Sequence, residues 1–442
     1  MADGSTVAVC ECPPARSAPV RTWVALSFHE GRVVRDLFHN GLLEALGERG
    51  IGVLLVTPAA KVPAFVREWS RPNTLFAPLP RYSLSRNQER ALSLAKRLAG
   101  AGSLRSRAWQ LVYRRLFAPD PSYVELIRTL GCTLAVVTNP ISHFEMPFLR
   151  AAQEVGITTL GVVRSWDNLY KHLRLRPDWL AVWNEVNRRE ACRLAGYRPD
   201  RVVVTGASQF DGYFGPDSVW SREQFTSTMD LDPGRPIVTV ATLGELQYLY
   251  DETYLPDLLL KAVSDGALPP GTQLVCRLHP ASRLEHFGAY ASSPDVRVSY
   301  MKGYIPTLGW TMTRDDVVHV ANLLRHSDVV VSPGSTITVE AAIFDTPCVV
   351  PVFHPYQPEL ALRQFQGHTL ATHYRRLVEL DLVPIIEREE DLIPAINRCL
   401  ASPAWYRSER EQLVRDYVSF TDGRSTQRVA DLICRLALPR RA

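Results

Sequence analysis

Hydrophobic residues in this chain form short unbroken runs that alternate with longer stretches of helical spacing. The runs are rich in β-branched residues and end at polar or turn residues, which predicts buried strands of a parallel sheet. In the first half the predicted strands span 23–28, 52–57, 134–138, 158–163, 180–183 and 202–205. After the turn at 232–236 the pattern restarts with strands at 237–242, 273–278, 296–300, 328–331 and 348–352.

The first helical stretch directly follows the first predicted strand. It ends at Gly50 and contains Val33, Val34, Leu37, Phe38, Leu42, Leu43 and Leu46. Alternation of strands and helices predicts parallel sheets with helices on both faces. We therefore expect an α/β fold with two successive doubly wound, Rossmann-like domains. The domain bounds are 21–215 and 216–420, after a loose tail at 1–20 and before a terminal helical region at 421–442.

Length and composition agree with a two-domain enzyme. A chain of 442 residues exceeds one ordinary core, and 46% hydrophobic with 22% charged residues is typical of a soluble globular protein. A net charge of +4 does not indicate nucleic-acid binding. The eight cysteines form no CxxC pair, which favours a reducing compartment and no structural zinc. Without a signal-peptide core or a membrane-spanning run, the expected location is the cytoplasm.

The segment 328–353 predicts a strand, a small-residue turn, a short helix and a second strand. Ser332 and Gly334 lie in the turn, and Ser335 and Thr336 lie where the helix begins. Backbone N–H groups and the dipole at a helix start favour an anion, so the segment predicts a phosphate site. Glu340, one turn later, could accept from the hydroxyls of a ribose. The alternative is an ordinary β-α-β unit with a helix cap and a surface glutamate.

Further polar residues directly follow predicted strands. In open parallel sheets ligands bind at the carboxyl ends of the strands, so these residues are candidates for a site. In the first half they are His29, Glu30, Asn139, Arg164, Trp166, Asp167 and Asn168; in the second half they are Arg277, His279, Pro280 and 332–336. Each alone could be an ordinary loop residue.

The motifs SWDNLYKH, VWN, VTGASQFDGYF, CRLHPASR and SPGSTITVEAA, in this order, resemble those of bacterial surface-carbohydrate glycosyltransferases of the GT-B fold. They are also similar to those of CDP-glycerol glycerophosphotransferases and of HP-motif transferases that use CMP-sugars. The resemblance covers roughly 27–352. It implies two Rossmann-like domains facing across a cleft, with the acceptor on the N-terminal domain and the nucleotide donor on the C-terminal domain. It also implies that the last helix, 421–442, crosses back to the N-terminal domain; composition alone would equally allow a plain C-terminal cap.

The resemblance assigns roles to individual residues. His279 with Pro280 matches the HP element that contacts the nucleotide, and Ser335 with Thr336 matches the pair that meets the donor phosphates. Glu340 matches the glutamate that holds the ribose. Gln209 and Asp211 match a GxxQxD motif near the domain seam, where a turn that fixes one domain on the other is an equal alternative. Cys348 stands where many retaining members have a second glutamate, which favours an inverting reaction.

The chemistry requires positive charge at the leaving phosphate and a base for the acceptor hydroxyl. Arg277 and the helix start can supply the former. The base candidates are His29 first, then Asp167 and Glu30. No carboxylate cluster resembling a metal-binding DxD motif follows a strand, so no metal and no cofactor is required, and the nucleotide sugar is a substrate.

The region 81–115 carries nine basic residues and one acid, Glu89, among regularly spaced apolar positions. A basic amphipathic helix can lie on an anionic membrane surface, so peripheral contact with the inner face of the membrane through 81–117 is one interpretation. A solvated helix packed on the N-terminal domain is the other.

The leading hypothesis is an inverting, metal-independent glycosyltransferase that moves a sugar from a nucleotide sugar to a surface-glycan or lipid-linked acceptor. A glycerol- or ribitol-phosphate transferase using a CDP-polyol is the first alternative. A non-hydrolysing UDP-sugar 2-epimerase would need a carboxylate pair and a histidine that the sequence does not locate. A non-catalytic binding protein is disfavoured by the intact set of Ser335, Thr336 and Glu340.

Overall fold

A computed structural model describes residues 19–438 except 81, 99–102, 167–168, 170–172, 174, 245–251, 281, 283, 292, 294, 302 and 371–373. The strands in chain order are β1 (Thr22–Ser27), β2 (Ile51–Thr57), β3 (Thr74–Pro78), β4 (Cys132–Val137), β5 (Thr158–Val162), β6 (Trp179–Val182), β7 (Val202–Val204), β8 (Ile237–Ala241), β9 (Gln273–Arg277), β10 (Val296–Ser299), β11 (Tyr304–Ile305), β12 (Gly309–Trp310), β13 (Val329–Val331), β14 (Cys348–Pro351) and β15 (Ile385–Ile386).

The α-helices are α1 (Leu42–Glu48), α2 (Pro63–Trp69), α3 (Arg86–Leu98), α4 (Ser103–Leu116), α5 (Pro121–Thr129), α6 (Met146–Val155), α7 (Glu185–Ala195), α8 (Arg222–Met229), α9 (Tyr254–Ser264), α10 (Gly288–Ala291), α11 (Arg314–His326), α12 (Thr336–Ile343), α13 (Pro358–Gln364), α14 (Arg375–Glu379), α15 (Leu392–Ala401), α16 (Arg407–Leu413) and α17 (Ser425–Ala437). Short π or 3-10 segments span Val34–Phe38, Pro58–Lys61, Pro199–Arg201, Ser208–Tyr213, Pro216–Ser218, Leu284–Phe287, Phe365–Thr369, Glu389–Asp391 and Val414–Val418.

The chain divides into two compact units. The first contains the described residues up to Asp211, the segment Tyr304–Thr311 and the described residues from Asp422 onward. The second contains the described residues of Gly212–Gly303 and of Met312–Thr421. Each unit is built around its own main parallel sheet.

The first unit holds a seven-stranded sheet in the order β3-β2-β1-β4-β5-β6-β7. All its neighbouring strands pair in parallel, and the order is that of a doubly wound dinucleotide-binding fold. Its core includes Val24 and Leu26 of β1, and Val429 and Ile433 of α17 pack into the same cluster. Burial of these aliphatic side chains stabilises the packing of α17 in the same core as β1.

The second unit holds a six-stranded parallel sheet in the order β10-β9-β8-β13-β14-β15. Its core is formed by inward-facing side chains of β8, β9 and β13, among them Val238, Leu274 and Val329. The prediction of two doubly wound α/β domains is therefore confirmed. The carboxyl ends of β9, β8, β13 and β14 are neighbours at one edge of this sheet.

Every run predicted as a strand lies in one of these two sheets, with bounds shifted by one or two residues. Strand β3 was not predicted, because its segment ends in proline. Strand β15 and the hairpin of β11 and β12 were not predicted, because two-residue strands leave no periodic pattern to detect.

The prediction of one continuous helix over 33–46 was wrong. The chain forms a π segment at Val34–Phe38 and then α1, separated by a turn in which Gly41 has a φ of +81°. The Asn40 side chain donates to the carbonyl of Asp36 at 2.9 Å. A left-handed residue cannot continue a right-handed helix, so the helix restarts after Gly41.

None of the described helices combines the length and the apolar character that crossing a bilayer requires.

Candidate active site

The segment that follows β13 adopts the predicted strand–turn–helix arrangement. Ser332 is fully buried, and Gly334 takes a φ of +99°, a left-handed conformation that favours glycine. The Ser335 hydroxyl caps α12 by accepting from the Ile337 N–H at 3.2 Å. The oxygens of Ser332 and Ser335 lie 3.5 Å apart. Two hydroxyls therefore stand at the positive end of the α12 dipole, where an anion is favoured.

Glu340 lies one turn into α12, and its carboxylate is held from outside the helix. The Tyr213 hydroxyl donates to Glu340 Oε2 at 2.6 Å. Tyr213 is 5% exposed, and its ring centroid lies 5.6 Å from that of Phe344. The ring packing orients the hydroxyl, and the hydroxyl orients the carboxylate.

Arg277 is a buried cation at the carboxyl end of β9. Its Nη1 donates to Ser299 Oγ at 3.0 Å, and that oxygen lies 2.9 Å from His319 Nε2. Burial lowers the pKa of Arg277, while the charges of Asp316 and Glu340 act in the opposite direction. An arginine remains charged under such a shift, so Arg277 supplies a fixed positive charge in the same unit as Glu340.

His279 and Pro280 follow β9 and are half-buried. The backbone N–H of His279 donates to Thr242 Oγ1, which directly follows β8, at 2.8 Å. The Thr242 hydroxyl also lies 3.0 Å from that of Ser282. The second unit therefore places Arg277 and His279, Thr242, and the turn at 332–336 at the carboxyl ends of three adjacent strands, β9, β8 and β13.

Two buried residues at this edge were missed by the sequence analysis. Glu252 accepts from the backbone N–H groups of Leu243 at 2.8 Å and Gly244 at 2.9 Å. His354 follows β14, is 5% exposed, and its Nδ1 accepts from the backbone N–H groups of Tyr356 and Gln357. The proton of the neutral His354 ring is therefore on Nε2. A signal for His354 was present, because His354-Pro355 repeats the pair at 279–280.

His29 follows β1 in the first unit and lies between two carboxylates. Its Nδ1 is 3.1 Å from Glu145 Oε1, and its Nε2 is 3.1 Å from Glu30 Oε1. The Ser142 hydroxyl lies 3.2 Å from the same Nε2. Burial alone would lower the pKa of His29, but the hydrogen bonds to Glu145 and Glu30 outweigh burial and raise it to about 9. The ring is a cation at neutral pH.

Glu145 was also missed by the sequence analysis. It is fully buried and accepts from the Ser27 hydroxyl at 2.7 Å and the Thr138 backbone N–H at 2.9 Å. In the sequence it stands just before α6, where an acidic residue is typical of an exposed helix start, so no local signal marked it as buried.

Glu30 is the centre of a second set of ion pairs. Its carboxylate lies 2.9 Å from Arg164 Nη1 and 2.9 Å from Arg32 Nη2, and it accepts from Asn139 Nδ2 at 3.1 Å. Burial alone would raise the pKa of Glu30. The charge of Arg164, the hydrogen bond from His29 and the charge of Arg32 together lower it well below its usual range. Glu30 therefore stays a carboxylate and holds the arginines beside His29.

The remaining predicted residues differ in their surroundings. Asp167 and Asn168 lie outside the described residues, and Trp166 is buried, with its carbonyl accepting from Asn187. Gln209 accepts from Arg35 Nη2 at 2.8 Å.

Asp211 is 7% exposed and accepts from the backbone N–H groups of Ser425 at 2.9 Å and Thr426 at 2.6 Å. Burial raises the pKa of Asp211, and these hydrogen bonds oppose the rise. Asp211 caps the start of α17, and both belong to the first unit.

Comparison with protein-family models places residues 176–435 in one family. The matching model is that of CDP-glycerol:poly(glycerophosphate) glycerophosphotransferase, and the match spans more than half of the chain. The chain belongs to this family. It is therefore a transferase of a family that acts on nucleotide-linked substrates.

The family match divides the candidate residues into two sets. Tyr213, Arg277, His279, the turn at 332–336 and Glu340 all lie within 176–435. The cluster of His29, Glu30, Glu145 and Arg164 lies before it. Comparison with curated protein sequences finds no match.

Solved structures that are similar to this glycerophosphotransferase-family chain share its two-domain GT-B fold. UDP-GlcNAc 2-epimerase from Neisseria meningitidis, bound to UDP-GlcNAc, has a TM-score of 0.56 at 12% identity and covers 94% of this chain and 100% of its own. MnaA from S. aureus, in a structure with UDP, has a TM-score of 0.57 at 13% identity, with 95% and 98% covered. The wall teichoic acid polymerase TagF has a TM-score of 0.53 at 11% identity, with 94% and 89% covered.

Proposed function

We propose that this protein transfers a polyol phosphate from a CDP-polyol donor to a hydroxyl group of a surface-glycan or lipid-linked acceptor. The observation that carries the proposal is the family match over 176–435, which includes every candidate donor residue of the second unit. The fold similarity to a wall teichoic acid polymerase, over 94% of this chain, supports the same choice.

The proposed transfer is a nucleophilic displacement at phosphorus. The acceptor oxygen forms a bond to the phosphorus that carries the polyol, the bond from that phosphorus to the bridging oxygen breaks, and CMP leaves with the electron pair. Catalysis of this type depends on positioning and on positive charge at the phosphate oxygens. Arg277, the hydroxyls of Ser335 and Thr336, and the start of α12 are assigned to this role. Because they already supply positive charge and N–H dipoles, we expect activity without a metal ion and in the presence of EDTA.

Glu340 is assigned to the ribose of the nucleotide. A carboxylate accepts two hydroxyl hydrogen bonds well, and charge-assisted hydrogen bonds are stronger than neutral ones. The bond from Tyr213 at 2.6 Å keeps the carboxylate in one orientation for this contact. His279, beside Thr242, is assigned to the nucleotide as the HP element.

His29 is assigned as the base that takes the acceptor proton, with Glu145 holding the ring through Nδ1. In this arrangement Nε2 faces the acceptor hydroxyl, and Glu30 occupies that direction before the acceptor binds. Only the neutral ring can accept a proton, so turnover is expected to rise as pH approaches about 9. If His29 instead acted as a cation, turnover would fall over the same range.

The first test is thermal-shift stabilisation by CDP, CMP, UDP, GDP and dTDP, because a ligand of the folded state raises its stability by mass action. We expect CDP and CMP to stabilise the protein and the others to have little effect. The second test is acceptor-dependent release of CMP from CDP-glycerol and from CDP-ribitol. Stabilisation by UDP alone, without CMP release from either donor, would overturn the proposal.

Glycosyl transfer from a nucleotide sugar is the second candidate. It is favoured by neighbours whose structures contain UDP-GlcNAc or UDP and whose fold covers 94% and 95% of this chain. Here the acceptor oxygen would attack the anomeric carbon and a nucleoside phosphate would leave, with inversion expected because Cys348 replaces a second glutamate. Stabilisation by UDP, GDP or dTDP and acceptor-dependent release of the matching nucleotide would select this candidate.

Peripheral membrane contact through 81–117 is a further part of the proposal. Arg86 and Arg90 of α3 and Arg114 and Arg115 of α4 are exposed. Leu94 and Leu111, on the same two helices, are 51% and 65% exposed. Basic residues beside exposed leucines suit an anionic lipid surface, with about 1 kcal/mol expected for each basic residue near the surface.

The membrane contact is tested by cosedimentation with vesicles. We expect binding to phosphatidylglycerol vesicles, and not to phosphatidylcholine vesicles, that weakens in Arg115→Glu and in high salt. Arg198→Glu, an exposed site elsewhere in the first unit, is the matched control and should bind like the parent protein. Equal binding of all three proteins would remove this surface from the proposal.

A further inference from the structure

A short β-hairpin belongs to the first unit, although in sequence it lies between two segments of the second unit. Strands β11 and β12 pair in antiparallel fashion, Tyr304 with Trp310 and Ile305 with Gly309. In sequence the hairpin lies between β10 and α11, both elements of the second unit. The segment Tyr304–Thr311 is nevertheless part of the first unit.

The hairpin packs onto the residues that directly follow His29 and Glu30. The Gly31 N–H donates to the Leu308 carbonyl at 3.1 Å. Leu308 is 6% exposed and lies in the main core cluster of the first unit, which also contains Phe28. The hairpin is therefore anchored by a buried apolar side chain and by a backbone hydrogen bond to the loop after β1.

Gly31 permits this contact because it has no side chain. A Cβ at this position would lie 2.2 Å from Thr311 Oγ1 and 2.4 Å from the Trp310 carbonyl oxygen. The second distance is to backbone, so it cannot be relieved by rotating a side chain. Any other residue at 31 would push the hairpin away from the loop.

A chain of contacts leads from the hairpin to the His29 ring. The Arg32 guanidinium lies over the Trp310 ring, 5.2 Å from its centroid. Arg32 is paired with Glu30 at 2.9 Å, and Glu30 lies 3.1 Å from His29 Nε2. Displacement of the hairpin would therefore free Arg32 from Trp310 and shift the backbone that carries Glu30. Arg164 and Asn139 also hold the Glu30 carboxylate, so the expected change is in its position beside Nε2.

We propose that the hairpin Tyr304–Thr311 is a positioning element of the acceptor site, which holds the loop from His29 to Arg32 in its working geometry. Trp310 and Leu308 act as positioning residues, since they reach His29 only through Arg32, Glu30 and the loop backbone. This inference rests on the proposed role of His29, and it adds a contribution of the second half of the chain to that site.

The test compares Gly31→Ala and Trp310→Leu with the parent protein. We expect kcat to fall at least tenfold in Gly31→Ala and several-fold in Trp310→Leu, while the affinity for the donor nucleotide is unchanged. Gly288→Ala is the matched control, because a Cβ at Gly288 meets nothing within 4 Å. It should behave like the parent protein in every measurement.

The second readout is an NMR titration of the His29 ring. Its pKa of about 9 depends in part on Glu30, so the pKa should fall in both variants if the hairpin holds this loop. Loss of thermal stability with unchanged kcat and unchanged His29 titration would show a merely structural hairpin and overturn the inference. If His29→Ala leaves turnover intact, the proposed function of His29 fails, while the titration still reports whether the hairpin holds the loop.

Discussion

The two candidate sites differ in how their polar groups are arranged. In the second unit, Ser332 and Ser335 are three residues apart in sequence, and their hydroxyls stand with the backbone N–H groups at the start of α12. In the first unit, His29 and Glu145 are separated by 116 residues and form a charged cluster. Hydroxyl and backbone N–H groups can therefore be brought together within one short segment, whereas a histidine between carboxylates requires partners from distant segments.

The balance of positive and negative groups also differs between the two candidate sites. The site in the second unit combines neutral hydroxyls, a helix dipole and the buried cation Arg277, so the arrangement favours an incoming anion. In the first unit, positive and negative groups alternate around His29 and Glu30 and already compensate one another. An acceptor hydroxyl is neutral, so the role proposed for this cluster is to set the pKa of His29 rather than to attract a charged ligand.

Replacement of His29 is expected to have the largest effect on turnover. His29→Ala should lower kcat by about 10²- to 10⁴-fold, the usual contribution of a general base. Affinity for the donor nucleotide should be unchanged, because the residues proposed to bind the donor lie in the second unit. Turnover assays and nucleotide titration calorimetry measure the two quantities separately. A normal kcat would eliminate His29 as the base and leave the acceptor cluster without a catalytic role.

The pH dependence of stability should report the His29 ion pairs. Because the folded state binds the ring proton more tightly, their contribution is fully present below about pH 6.5 and is lost as pH rises through about 9. The expected loss is on the order of 3 kcal/mol. Urea unfolding at pH 6 and pH 9.5 measures it, and His29→Asn should lack this part of the pH dependence. Identical pH dependence in both proteins would show that the ion pairs contribute nothing to stability.

Removal of the Glu340 carboxylate should weaken nucleotide binding. Glu340→Ala is expected to cost about 1 to 3 kcal/mol of donor affinity, because charge-assisted hydrogen bonds to the ribose are lost. Glu411→Ala, an exposed carboxylate on α16, is the matched control. Calorimetric titration with the best nucleotide of the panel measures both variants. Unchanged affinity in Glu340→Ala would remove this residue from the site.

The smallest expected effect concerns Tyr213. Tyr213→Phe keeps the ring against Phe344 and removes only the hydroxyl that donates to Glu340. We expect a loss of about 0.5 to 1.5 kcal/mol in affinity for a ribonucleotide and a smaller loss for its 2′-deoxy analogue. Equal losses for both nucleotides would indicate that Tyr213 does not act through the ribose contact.

Much of the fold was predictable because its strands are local, continuous apolar runs. Strands such as β4 and β8 could be located within one or two residues, and their alternation with helices implied parallel sheets. Strand β3 and the hairpin of β11 and β12 were missed, since the former ends in proline and the latter has two-residue strands. The break at Gly41 was missed because apolar spacing continues across it.

The strand–turn–helix segment proposed to hold the donor was located because its parts are neighbours in sequence. The turn at 332–336 and Glu340 lie within one strand–turn–helix unit, so the residue types alone indicated an anion site. Glu145 was missed because nothing near it in sequence indicates burial. The contact between Gly31 and the hairpin Tyr304–Thr311 was missed because it joins segments that are far apart in the chain.

The sequence by itself determined the alternation of strands and helices, the two-domain α/β class and the location of the strand–turn–helix segment at 328–343, because each depends on residues close together along the chain. Only the tertiary structure decided the protonation state of His29, the partner of Glu340 and the contact of the hairpin with Gly31. These depend on burial and on distances of about 3 Å between atoms of distant segments, which are set when the sheets bring those segments together.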